Sequence, residues 1–278
     1  MLKYARPTRP AMATFEEFQK KVDDIVLNHP VVTDNEYTKW VATGQMTDED
    51  VRDLTIQFSV FSHLFIEAQF RKCLSAQTLE QYRAGKEILM NELGVSFTKP
   101  GAAAVESTDP DAVPTEGTVN GGKYRHTAAH FEWLLKFAEP LGLGFEQIGK
   151  RRLGTPSTLH FCDALSEWYG NDDPCVGTGA SYAVENWAAA GFWKELIAGL
   201  SAYNDASGRN LNLGFWKWHD MVEDQHAEHT HDELAEDFDE EWFDEEKYLE
   251  GARNILDAVK VFWDGLDESR IKRTTVTA

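Results

Sequence analysis

Apolar residues recur along this chain at intervals of three and four, the period of a helix with one buried face. The stretch from Asp48 to Lys72 carries Val51, Leu54, Phe58, Phe61, Leu64 and Phe65 on such a face, and Thr47-Asp48-Glu49-Asp50 gives it a polar start. Thr14 with Glu17 three residues on reads as a capping box, opening a helix that runs to about Asn28, where His29-Pro30 ends it. A short helix follows Thr33-Asp34-Asn35 and stops at Gly44. Further helices are predicted over 76–93, ended by Gly94, over 124–141, stopped by Gly142, and over 156–169, with Gly170 to Pro174 as a turn. The last three are predicted over 177–201, 212–229 and 245–266. No period-2 alternation is long enough for a strand, and no internal repeat occurs. The pattern predicts an all-α chain of seven to nine helices forming one domain over 1–278. Residues 95–122 interrupt it. They are rich in Pro, Gly, Ala, Ser, Thr and acids, and read as a flexible insertion, either a surface excursion or a lid.

Composition narrows the classes. Hydrophobic residues make up 42% of 278, with nine Trp, which is enough to bury a large core. The net charge of −20 repels phosphate backbones and anionic headgroups, so nucleic-acid and membrane partners are not expected. Cys73, Cys162 and Cys175 form no CxxC pair and read as reduced thiols. With no apolar leader at the start and no run of ~18 apolar residues, the expected location is cytoplasmic.

The chemistry concentrates in Trp218-His219-Asp220-Met221-Val222-Glu223-Asp224-Gln225-His226. At about 100° per residue, His219, Glu223 and His226 fall within roughly 60° of one another on a helix. Nitrogen and oxygen donors so placed suit iron, manganese or zinc. A dinuclear site needs about six ligands from several helices, so the partners should be acids or imidazoles on otherwise apolar faces. Glu185, among Tyr182, Val184, Trp187 and Ala188, meets that test, because a carboxylate buried there needs a cation. Glu92 closes a predicted helix before Leu93-Gly94. His130 lies on an apolar stripe with Trp133 and Phe137, and His126, one turn earlier, is its rival. Other features read more simply. His229 and His231 lie off the ligand face, at a solvated helix end. The acidic run from Asp232 to Glu246 reads as a solvated linker, and Lys194 as an outer charge. Gly177-Thr178-Gly179 lacks the rest of a phosphate loop. Trp187, Phe192, Phe215, Trp216 and Trp218 are core residues or pocket walls.

In order, Glu92-Leu93-Gly94, then His130 with Trp133, Phe137, Leu141 and Gly142, then Glu185, then His219-x-x-x-Glu223-x-x-His226 resemble the heme-oxygenase-like diiron oxidases and oxygenases. His29-Pro30, Gly44 to Asp50, Gln57 and Phe262-Trp263-Asp264-Gly265-Leu266 are similar to the family's opening and closing helices. The resemblance implies a heme-oxygenase-like helical bundle with two ferrous ions held by Glu92, His130, Glu185, His219, Glu223 and His226, and with O2 as co-substrate; manganese accepts the same donors. Position 223 departs from the pattern, being Glu where the family commonly has Asp. The implied activity is N-oxygenation, oxidative C–C cleavage or desaturation of a small amine, amino acid or fatty acid. Its partners would be that substrate and an external electron donor, and a homodimer is compatible with it. The alternatives are a metal-free thiaminase-like or pyrroloquinoline-quinone-synthase-like enzyme on the same fold, and a non-catalytic metal-binding protein.

Overall fold

Short polar side chains open most of the described helices, and left-handed glycines close several of them. The computed structural model describes residues 14–95 and 128–277, the side chains of 222–227 and 276–277 excepted. Among the described residues there are eleven α-helices and no strand, more helices than the pattern predicted. They are α1 (Phe15–Leu27), α2 (Pro30–Thr33), α3 (Glu36–Ala42), α4 (Asp48–Ser75), α5 (Leu79–Glu92), α6 (His130–Ala138), α7 (Pro156–Ala164), α8 (Pro174–Ala189), α9 (Phe192–Ser207), α10 (Gly214–Asp237) and α11 (Glu245–Thr277). The predicted capping box at Thr14 forms: Thr14 Oγ1 accepts the Glu17 N–H and Glu17 Oε2 accepts the Thr14 N–H at 3.0 Å. Thr47 with Asp50 and Thr78 with Gln81 repeat it.

Local chemistry explains the differences from the predicted boundaries. His29-Pro30 ends α1 but also opens α2, because proline at a first helical position gives up no hydrogen bond and His29 Nδ1 accepts the Val31 N–H. The helix predicted over 177–201 is two, broken at Gly191, whose φ of +106° a side chain would resist. The helix predicted over 156–169 is α7 followed by a π turn, Leu165–Tyr169. The acidic run is no linker in its first part. α10 extends through Asp237, and Leu234, Phe238 and Phe243 are buried, the two rings lying 5.6 and 5.5 Å from Phe18. Leu234 and Phe238 keep helical spacing, so the acids occupy the outer face. α11 likewise outruns its predicted end. Of the 95–122 insertion only Val95 lies within the described residues, and 124–127 of the next predicted helix lie outside them.

Packing places the site. α11 runs along α8 and α7, α10 lies against α8, α9 and α6, and α4 pairs with α5. The α8–α11 contact brings backbone to backbone: a Cβ at Gly179 would strike the Tyr248 carbonyl oxygen, and one at Gly251 the Val176 carbonyl oxygen. Phe58 of α4 sits at the centre, ringed by Trp193, Phe215, Trp216, Phe262 and Trp263. Arg273 ties α11 back to α4 through Asp50 at 2.8 Å and Asp53 at 2.7 Å. Gln57 clamps the approach to α7: its amide donates to the Leu153 carbonyl and accepts from the Thr155 N–H and the Thr158 hydroxyl. The three cysteines are free thiols, all buried. No helix among the described residues is long and apolar enough to cross a membrane.

Candidate metal centre

Glu92 is the last residue of α5, and the sequence after it fixes where that helix stops. Gly94 takes φ +70°. Its N–H donates to the Asn91 carbonyl at 2.9 Å, and the Val95 N–H donates to the Met90 carbonyl at 2.8 Å. This is the Schellman ending that a left-handed residue permits, and it sets Glu92 at the C-terminal mouth of the helix. A carboxylate there is opposed by the helix dipole, by ~0.3–1 kcal/mol at a surface and more where partly buried. His130 occupies the opposite kind of position, the first residue of α6, where the dipole opposes a positive ring.

The two side chains nonetheless approach closely. His130 Nδ1 lies 2.9 Å from Glu92 Oε2, yet this buried nitrogen has no hydrogen-bond partner, because distance is met without alignment. Each group sits at the helix end least suited to carrying its charge in an ion pair. Two donors turned toward one point account for both facts. His219 is the third: one donor atom from each of Glu92, His130 and His219 lies within 4.8 Å of the other two. Four residues after Phe215 on α10, His219 turns Nδ1 onto the Phe215 carbonyl at 2.7 Å. With Nδ1–H assigned as donor there, Nε2 carries the ring's lone pair, the arrangement of a metal-binding imidazole held by a backbone acceptor. Trp193 stacks on the ring at 4.9 Å and Phe215 packs at 4.2 Å, fixing its plane.

Glu185 projects from the middle of α8 and is 6% exposed. The Tyr169 hydroxyl donates to its Oε1 at 3.4 Å, and Gln69 Nε2 donates to the Tyr169 oxygen at 2.8 Å. Burial, and then the charge of Glu185, raise the Tyr169 phenol well above its ordinary range, so it keeps its proton. Glu185, Glu92 and His219 line one cleft of about 580 Å³, its solvent mouth included, walled mainly by Phe58, Phe61, Phe65, Trp187 and Phe192. Among the described residues no Lys or Arg lines it. Burying two carboxylates in an aromatic cleft carries a desolvation cost that a bound cation would help offset.

The structure brings Glu92, His130 and His219 together and sets Glu185 in the same cleft outside the tight triplet. The α10 backbone keeps Glu223 and His226 at helical offsets of four and seven from His219. Their side chains, and the rival His126, lie outside the described residues. Trp187, Phe192 and Phe215 are cleft walls, whereas Trp216 packs into the core 4.8 Å from Phe58 and Trp218 packs on the His130 ring at 4.6 Å. Lys194 and His229 are exposed, as expected, whereas His231 is half-buried, edge-on to Phe15 at 6.3 Å. Sequence reasoning missed Gln69 and Tyr169. Gln69, a fully buried amide on the apolar side of α4, was the available signal; the π turn that aims Tyr169 has none. Carboxylate oxygens and imidazole nitrogens in this number suit iron, manganese or zinc, and the unpartnered His130 Nδ1 is the kind of atom a metal would satisfy.

Comparison with solved structures identifies the fold. The chain is similar to a TenA homolog from Pseudomonas syringae pv. tomato, with a TM-score of 0.66 at 11% identity over 95% of this chain and 99% of that one. It is also similar to a domain of unknown function with a heme oxygenase-like fold from Shewanella denitrificans, with a TM-score of 0.57 at 14% identity over 92% and 90%. The bundle is heme-oxygenase-like, as expected. No family profile matches the chain, and no curated protein matches it by sequence.

Proposed function

We propose that this chain is a non-heme dinuclear iron oxidase or oxygenase. It would use O2 to oxidise a small amine, amino-acid or fatty-acid type substrate, by N-oxygenation, oxidative C–C cleavage or desaturation. The observation that carries the reading is the convergence of Glu92, His130 and His219 within 4.8 Å, with Glu185 in the same cleft. Those four residues, with Glu223 and His226 from the same face of α10, would hold the metals. Two ferrous ions bound there would supply electrons for O2 reduction, with an external donor restoring them between turnovers. The rest is the work of this chain's own residues. The Phe215 carbonyl holds His219 in one tautomer. Tyr169 orients one oxygen of Glu185. The rings of Phe58, Phe61, Phe65 and Phe192 exclude water from the space beside the donors and leave an apolar surface for the organic substrate. Manganese would accept the same donors.

Anaerobic loading with ferrous ion tests the reading. About two irons per chain, followed by O2 uptake that candidate amines or acids accelerate, is the expected result. Iron bound without O2 uptake would leave a non-catalytic metal protein. The TenA homolog's likeness favours a second reading, a metal-free thiaminase-like enzyme on the same fold. That reading gains if the chain takes up no divalent metal and ferrous ion leaves any activity unchanged.

A further inference from the structure

One face of α4 lines the cleft and changes character along it. Phe58, Phe61, Ser62, Phe65 and Gln69 recur at intervals of three and four, and all five line the cavity. Phe58 and Gln69 stand roughly 16 Å apart along the helix. The stripe is mostly aromatic, yet it ends in an amide that is fully buried. The two ends of that amide have different fates. A carboxylate only accepts, so the Tyr169 hydroxyl directs its proton to Glu185 Oε1 at 3.4 Å. The phenol oxygen is then an acceptor, and it receives Gln69 Nε2 at 2.8 Å. Turning the amide over would set two acceptors face to face, so its orientation is fixed. Gln69 Oε1 is left buried and without a hydrogen-bond partner among the described residues.

An orphaned acceptor of this kind costs ~1–3 kcal/mol. Holding Tyr169 does not explain it, since only the Nε2 end does that. The charge of the cleft indicates what would satisfy the other end. Its lining carries Glu92 and Glu185 and, among the described residues, no Lys or Arg. A substrate carboxylate beside Gln69 would meet no basic partner. The indole N–H groups of Trp187 and Trp193, which also line the cleft, lack partners among the described residues too. They are neutral donors and bring no counter-charge. An amine supplies the N–H that Gln69 Oε1 lacks, and its protonated form is attracted to ring faces such as those of Phe61 and Phe65. The remaining rings of the α4 stripe then cover an apolar body.

Resting on the metal-centre reading, we infer that Gln69 Oε1 receives an N–H of the organic substrate, which makes that substrate an apolar amine rather than a fatty acid. The test is calorimetric titration of the full chain, loaded with Co2+, with hexylamine, hexanoate and N,N,N-trimethylhexylammonium. The last keeps a positive charge but has no N–H. Hexylamine is expected to bind more tightly than hexanoate by roughly tenfold or more, because a carboxylate entering beside Gln69 stays unpaired. Gln69→Leu is expected to weaken hexylamine roughly 10- to 100-fold, as loss of a hydrogen bond to a charged group does, and to leave the trimethyl compound unchanged. A purely structural role for Gln69 would weaken both cations alike. Should Gln69→Leu fold poorly, the wild-type preference for hexylamine over hexanoate still reads the substrate class. The inference is overturned, with the metal-centre reading left standing, if the Co2+-loaded chain binds hexanoate as tightly as hexylamine. It is equally overturned if a folded Gln69→Leu keeps its hexylamine affinity or loses both cations equally. A wild-type chain that takes up no Co2+ would instead overturn the metal-centre reading, and the inference with it.

Discussion

The α8–α11 side of the bundle and the α4–α5 side are held by different physics, and the candidate centre draws donors from both. On the first side, glycines at 179 and 251 let two helices touch through their backbones, and nearly every residue of α8 is buried. On the second, α5 buries only Gly85 and Leu89 of its fourteen residues and leaves Leu79 and Tyr82 more than 40% exposed. Its anchors are few. Gly85 lies against Cys73, and at the N-terminal end Gln81 donates to both oxygens of Asp237 at 2.9 and 3.0 Å. Glu185 therefore stands on a tightly held helix and Glu92 on a loosely held one. A metal held at this centre would stabilise mainly the α5 side, because a ligand contributes most where the apoprotein opens most easily.

Substitution at the close helix contact should produce the largest effect. Gly179→Ala sets a methyl against the Tyr248 carbonyl, and is expected to cost more than ~3 kcal/mol, the upper range for overpacking, because a backbone atom cannot swing aside. Leu79→Ala on α5 should stay within ~0.5 kcal/mol, as surface substitutions do. Chemical denaturation of both variants reads the contrast, and equal costs would end it. Next in size is metal. At a hundredfold excess over Kd a divalent ion should add ~2.7 kcal/mol, or roughly 5–10 °C in Tm for a chain of this length. The gain in amide protection should fall on α5 more than on α8 in hydrogen exchange. Glu92→Gln should abolish that gain. Without metal, Glu92→Gln should leave Tm unchanged or slightly higher, since a charge opposed by the α5 dipole is gone.

A smaller effect comes from pH. Burial first, then the charge of Glu233, raise the Asp237 carboxyl to about 7, while the Gln81 amide and Lys72 pull it down. The folded chain thus binds this proton more tightly than the unfolded one. Its stabilising contribution is full at acid pH, below the unfolded value near 4, and is lost as pH rises toward 7, by on the order of 2 kcal/mol. Asp237→Asn keeps an acceptor for Gln81 and should flatten this slope, which Tm measured from pH 5 to 8 would report. An unchanged slope would mean that other groups govern the α5–α10 junction.

Much of this arrangement was legible in the sequence, for identifiable reasons. The end of α5 could be placed because Leu93-Gly94 encodes a helix stop, but Glu92 as a ligand came only from the family resemblance; His219 was legible because spacings of four and seven survive translation into any straight helix. Glu185 stood out because a carboxylate amid Val184, Trp187 and Ala188 is costly to bury without a cation. The break at Gly191 was hidden because Ala188 to Phe192 continues an apolar pattern while the backbone inverts φ. The acidic run concealed the end of α10 because charge density outweighed the spacing of Leu234 and Phe238. Tyr169 was out of reach for a different reason. A π turn shifts every later residue by about one position of phase, and periodicity analysis assumes constant phase.

The three hidden thiols give this asymmetry a clock. Burial pushes Cys162 up to about 12 and Cys175 up to about 11, and raises Cys73 as well, so in the folded chain none offers an appreciable thiolate at neutral pH. A thiol-specific dye therefore reacts only when the surrounding helices part. Cys73 sits on the α4–α5 seam, Cys162 on α7 and Cys175 on α8. Their three labelling rates divide the molecule into a face that breathes and a face that waits for global unfolding.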